Sequence, residues 1–127
     1  MSKPPVVQPG AVRSYQTRTF GRCISAAGGH HFVVDHTVGQ EGPGEQPGPV
    51  EYFLSGVSSC GVLMVEREAK NRGIPLQWLE VTIQAVRRDP AGHTGGPMTF
   101  QSASVDFDFV GPTPAQATEL VEHYKHT

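Results

Sequence analysis

A chain of 127 residues has the length of one domain. Its 10 basic and 12 acidic side chains leave a formal net charge of −2 and form no basic stripe, which argues against a nucleic-acid partner. No apolar run reaches the ~20 residues that a membrane-spanning helix needs, and residues 1–9 lack the apolar centre of a signal peptide, so a cytoplasmic protein without a membrane partner is expected.

Residues 1–10 carry three prolines and read as an arm. Residues 12–25, VRSYQTRTFGRCIS, are rich in residues that favour a strand. Residues 26–29 read as a turn, because Gly28 and Gly29 can take the positive φ of a tight hairpin, and residues 31–38, HFVVDHTV, return as a second strand. Residues 39–49, GQEGPGEQPGP, can be neither helix nor central strand, and a loop of this length in a small domain is often functional or part of an interface.

The strongest helix signal covers residues 51–72. Pro49 precedes its first turn, Glu51 complements the positive end of the dipole, Arg67, Lys70 and Arg72 suit the other end, and Gly73 supplies the stop. Its first half, YFLSGVSSCGVLMV, is apolar or small almost all round, which predicts a buried helix; its second half, EREAKNR, emerges into water.

Residues 78–87 alternate, with Leu79, Val81, Ile83 and Ala85 on one face and Glu80, Thr82 and Gln84 on the other. Residues 99–110 alternate likewise, with Ala103, Val105, Phe107 and Phe109 inward, and the two strands are expected to pair antiparallel across a hairpin loop at residues 89–97. A second helix opens at residue 112, with Thr113 as N-cap, Pro114 at N1, Gln116 completing a capping box, and an apolar stripe of Ala117, Leu120, Val121 and Tyr124. It is still amphipathic at the last residue, as if the sequence were cut inside a larger fold. The order β-β-α-β-β-α predicts a single α+β domain over residues 1–127.

Cys23 and Cys60 read as free thiols in a chain expected in the cytosol. Cys60, in SSCG, is the sharpest chemical candidate. Its plain reading is a small core residue. A reactive Cys60 needs a nearby cation, because an ordinary thiol with a pKa of ~8.5 is only slightly ionised at neutral pH. The helix offers none close to it, Arg67 lying two turns away. Arg18 or Arg22, from the N-terminal hairpin, could supply the charge, although each can equally be a solvated strand residue. Glu51, nine residues before Cys60, falls on the opposite side of the helix and reads as a first-turn residue facing the dipole. The six histidines do not assemble a ligand set, so neither a metal nor another cofactor is expected. Hydrolase triads, phosphate-binding loops and dinucleotide fingerprints are absent.

The segment PGPVEYFLSGVSSCGVLMVEREAKNRGIPLQWLEVTIQAVRR resembles the OsmC/Ohr family, in which a Pro-x-Glu motif starts a long helix, a cysteine follows nine residues after the glutamate, and a glycine-ended helix leads into an alternating strand. The resemblance runs from about residue 17 to residue 127 and is densest from Pro49 to Arg88. It implies an intertwined homodimer, with antiparallel sheets wrapped around a long buried central helix, and thiol-dependent reduction of organic hydroperoxides or hydrogen peroxide. Cys60 would be the attacking thiolate, Arg18 or Arg22 would hold it and orient the peroxide, and Glu51 matches the glutamate of the motif. The hydroperoxide branch places its glutamate one residue earlier, where this chain has Val50. Catalytic relatives also carry a second, resolving cysteine after the last helix, where this sequence stops at His126 and Thr127. An external thiol or dithiol would then restore Cys60. The alternative is a non-catalytic dimer that binds an apolar small molecule, in a pocket of Phe53, Leu54, Val57 and Met64, or acts as a scaffold.

Overall fold

A computed structural model describes residues 10–88 and 99–126. The chain forms two compact units, Met1–Tyr52 and Phe53–Thr127. Residues 1–9 of the arm expected at residues 1–10, and the hairpin loop at residues 89–97, lie outside the described residues.

The first unit is a three-stranded antiparallel sheet in the order β1 (Arg13–Gln16), β2 (Arg22–Ala27), β3 (His30–Asp35). The single strand expected over residues 12–25 is therefore two strands. The break is local: the Thr17 hydroxyl accepts from the Thr19 N–H at 3.1 Å and donates to the Arg22 carbonyl at 2.9 Å, and Gly21 takes φ +80°. β2 and β3 are joined by the expected turn, with Gly28 and Gly29 both at positive φ, and pair from Arg22 opposite Asp35 to Ala27 opposite His30. Tyr52 closes this unit: its ring lies 5.0 Å from that of Phe32, and its hydroxyl donates to the Val33 carbonyl at 2.7 Å.

The glycine-rich loop folds back on itself without room for a side chain at Gly42. A Cβ at Gly42 would overlap the backbone carbonyl of His36, and one at Gly21 would stand 2.6 Å from Gly42 Cα. Backbone cannot rotate aside as a side chain can, so Gly42→Ala is expected to lower stability by about 1–3 kcal/mol. Gly39→Ala, whose nearest atom is a side-chain oxygen at 3.9 Å, should be close to neutral. Thermal unfolding of the two variants side by side checks this, and equal midpoints would refute it.

The second unit contains β4 (Trp78–Arg88), β5 (Thr99–Val110) and α2 (Pro114–Lys125), together with the long helix α1, which spans Pro49–Arg72 and enters the unit at Phe53. β4 and β5 pair antiparallel, Trp78 opposite Val110, with one register shift between Val86 and Arg87. The alternation seen in the sequence holds: Leu79, Val81, Ile83, Val105, Phe107 and Phe109 are half-buried, while Glu80, Thr82, Gln84, Asp106 and Asp108 are exposed. Ala103, expected inward, is exposed, because the core does not extend that far along β5. Val65 and Ala69 of α1, Ile74 and Leu120 of α2 form the core, flanked by Leu76, Leu79, Phe107, Phe109 and Tyr124.

Local caps set the helix ends. At the C-terminus of α1, Gly73 at φ +67° turns the chain so that the Ile74 N–H reaches the Ala69 carbonyl at 2.9 Å. At the start of α2 the capping box is complete, with the Gln116 N–H donating to the Thr113 hydroxyl and the Thr113 N–H to the Gln116 side chain. Glu68 of α1 ties the helices together. It accepts from Arg72 at 2.6 Å and faces His123 of α2 at 3.3 Å, and the Arg72 hydrogen bond holds its carboxyl below the ordinary value despite the opposing effect of burial.

One expectation is corrected. The first half of α1 is not buried all round within this chain. Only Gly61, Val65 and Ala69 are buried, on one stripe, whereas Phe53 and Leu63 are 60% and 64% exposed. At Gly61 a Cβ would stand 3.3 Å from Val81, so the missing side chain lets helix and sheet close up along that stripe. The sheet and α2 cover one side of α1, and no other element of the second unit covers the rest.

Candidate active site around Cys60

Cys60 lies on the uncovered side of α1, and its thiol is exposed rather than buried, against the plain sequence reading. One helical turn on, the Sδ of Met64 accepts from its Sγ at 3.4 Å. Gly56, Ser59, Cys60, Leu63, Met64 and Arg67 line an open groove along this helix face. Gly56 and Ser59 keep one wall low, Leu63 and Met64 make it apolar, and Arg67 places a cation at one end. By separation along the sequence alone, Arg67 is too remote from Cys60 to act on it. Two turns along a helix return to the same face, so residues 60 and 67 share a wall although their backbones are roughly 10 Å apart.

The expected pocket residues divide. Met64 lines the groove with Cys60. Phe53 stacks on Phe100 of β5, with ring centroids 5.9 Å apart. Leu54 and Val57 are half-buried and do not line the groove, Leu54 lying on the helix stripe of Gly61.

The two candidate arginines also divide. Arg22 forms a two-pronged pair with Asp35, Nε to Oδ1 at 2.8 Å and a terminal nitrogen to Oδ2 at 2.9 Å, and reaches Glu45 at 3.4 Å. Asp35 is buried and also accepts the backbone N–H groups of Glu45 and Gln46, both at 3.0 Å. The Arg22 hydrogen bond, helped by those two N–H groups, holds the Asp35 carboxyl at about 2, against the opposing effect of burial, while Arg22 itself is raised. This arginine clamps the glycine-rich loop to the sheet. Arg18 sits exposed in the connection between β1 and β2, and among the described residues it has no ion-pair partner. Glu51 lies in the first turn of α1, and it also accepts the Gly48 N–H at 3.1 Å and so caps that turn.

Cys23 is half-buried on β2, opposite Val34, in the unit that does not hold Cys60. Among the described residues no three histidine, cysteine or acidic side chains are grouped to hold a metal ion, and no helix is long and apolar enough to cross a membrane.

Antiparallel sheets and a long helix that carries a thiol in an open groove define the class as an α+β thiol protein. The sequence matches the OsmC family, described as OsmC-like protein, over residues 42–127, more than half of the chain, and the protein belongs to that family. The expected α+β architecture with a central helix is that of its solved relatives. An OsmC-like protein from Mycoplasma pneumoniae superposes with a TM-score of 0.74 at 13% identity, covering 93% of this chain and 81% of that one. An OsmC-like protein of unknown function from Vibrio cholerae gives 0.73 at 13% identity, over 94% and 88%. An organic hydroperoxide resistance protein from Legionella pneumophila gives 0.66 at 15% identity, over 93% and 82%. None of the curated proteins matches the sequence.

Proposed function

We propose that this protein is a cytoplasmic thiol peroxidase that acts through Cys60. The observation that carries this reading is the exposed Cys60 thiol in an apolar groove with Arg67 at its end. Family membership and the name of the Legionella relative support a hydroperoxide as substrate. The Cys60 thiolate attacks one peroxide oxygen and the O–O bond breaks. The other oxygen leaves with the bonding pair and takes a proton as alcohol or water, and Cys60 becomes a sulfenic acid. An external thiol attacks that sulfur to give a mixed disulfide and water, and a second thiol equivalent returns Cys60.

Arg67, which lines the groove with Cys60, is the cation we assign to the reaction, and the donors of Arg22 are occupied by Asp35 and Glu45. Glu51 acts as a helix cap. A homodimer fits the exposed face of α1, which carries the large apolar side chains of Phe53 and Leu63.

Cys60→Ser is expected to reduce peroxide consumption to that of the protein-free mixture. Arg67→Ala should slow Cys60 oxidation without shifting the unfolding midpoint, because Arg67 is exposed, whereas Arg22→Ala should shift the midpoint. The check is peroxide consumption with a dithiol reductant, beside intact-protein mass spectrometry with a sulfenic-acid trap. Unchanged turnover in Cys60→Ser would sink the reading. A wild-type Cys60 no more reactive than a free thiol would favour the non-catalytic dimer, with the groove holding an apolar small molecule.

A further inference from the structure

One reactive atom of the groove, the Met64 sulfur, takes no part in the reduction of peroxide by Cys60. Met64 Sδ lies 3.4 Å from Cys60 Sγ, one turn along the same helix face, and both side chains line the same apolar wall. The other cysteine of the sequence, Cys23, belongs to the other unit, so among the described residues of this unit the sulfur in contact with Cys60 is a thioether, not a thiol.

We infer that Met64 is a modification site: it accepts the oxygen of the Cys60 sulfenic acid and becomes methionine sulfoxide. The inference rests on the peroxidase reading, since Cys60 must first be oxidised. An oxygen added to Sγ is bonded to an atom already in contact with Sδ. A lone pair on Sδ forms the new S–O bond, the Sγ–O bond breaks with its electron pair returning to Sγ, and the hydroxyl proton passes to Sγ. Cys60 sulfenic acid and Met64 thioether thus become Cys60 thiol and Met64 sulfoxide. Cysteine gains the two electrons that methionine loses, so no outside reductant is consumed. Met64 is suited to this because its unbranched side chain has several free torsions and can keep sulfur-to-sulfur contact as the oxygen arrives.

The step would have two effects when external thiol is scarce. It returns Cys60 to the thiol, away from irreversible over-oxidation. It also replaces an apolar wall of the groove with a polar sulfoxide, so an apolar occupant is held less well until a sulfoxide reductase acts.

The test adds one equivalent of cumene hydroperoxide to the reduced full chain without thiol, followed by peptide mass mapping and thiol titration. Wild type is expected to carry one added oxygen at Met64 while Cys60 still titrates as a thiol. Cys60→Ser should leave Met64 unmodified over the same time. Met64→Leu, a swap of similar volume, should keep the oxygen at Cys60 as a trappable sulfenic acid. Equal oxidation of Met64 in Cys60→Ser would mean direct attack by peroxide and overturns the transfer. A Cys60 that oxidises fast and keeps its oxygen, with Met64 unmodified, overturns the transfer but leaves the peroxidase reading standing. A Cys60 no more reactive than a free thiol overturns both.

Discussion

Leu120→Ala is expected to lose about 2–5 kcal/mol of stability, the range for removing a fully buried leucine side chain. Leu120 has 0% exposure and lies at the centre of the second unit, with Val65 and Ala69 of α1 and Ile74 around it and Phe107, Phe109 and Tyr124 beyond. Its neighbours come from two helices, a loop and a strand, and Tyr124 is already held edge-on against Phe107 at 5.2 Å. No single element can therefore relax into the space, which favours the upper half of that range. In a domain of this size each kcal/mol moves the thermal midpoint by roughly 4 °C. A drop of less than about 1 kcal/mol would mean that α2 adds little to the core. Val65→Ala combined with Leu120→Ala should be non-additive, because the two side chains share one packing site.

The second large effect is expected at Asp35. Asp35→Asn should lower the unfolding midpoint at neutral pH and leave the segment from His36 to Gly48 open to proteolysis. The buried carboxylate accepts both prongs of Arg22 and two backbone N–H groups of the loop, and an amide offers one acceptor oxygen and two donors in their place. The remaining Arg22 charge would then be held against a neutral partner in a half-buried site. The pH dependence carries the same signature. The Asp35 carboxyl is lowered from 3.8 to about 2, so its contribution to stability is fully present above pH 3.8 and is lost as pH falls through about 2. Urea midpoints of wild type should fall across that window, and those of Asp35→Asn should fall less. Parallel curves for the two proteins would show that the pair does not anchor the loop. Arg22→Lys should restore only part of the loss, because an ammonium keeps the charge but not the planar fork.

The sequence by itself determined what depends on near neighbours. The Thr113–Gln116 capping box, the glycine stop at Gly73 and the Gly28–Gly29 turn each follow from residues within a few positions of one another, and each is found where it was read. The alternation of β4 and β5 was legible because one side of a pleated sheet meets a core. The break between β1 and β2 was hidden, since it depends on one threonine hydroxyl and on a glycine that fits against Gly42, 21 residues later. The role of Arg22 was hidden for the same reason: its partner Asp35 is 13 residues away and becomes a neighbour only through strand pairing. At the candidate site, composition showed that the first half of α1 is apolar, which names a surface that avoids water but not what covers it. Tertiary packing decided that. The sheet and α2 take the stripe of Gly61, Val65 and Ala69, and this leaves Cys60, Met64 and Arg67 together on the open side. Burial is a property of the neighbours a helix acquires, and within the second unit the elements that cover α1 are β4, β5 and α2, all of which follow it in the sequence.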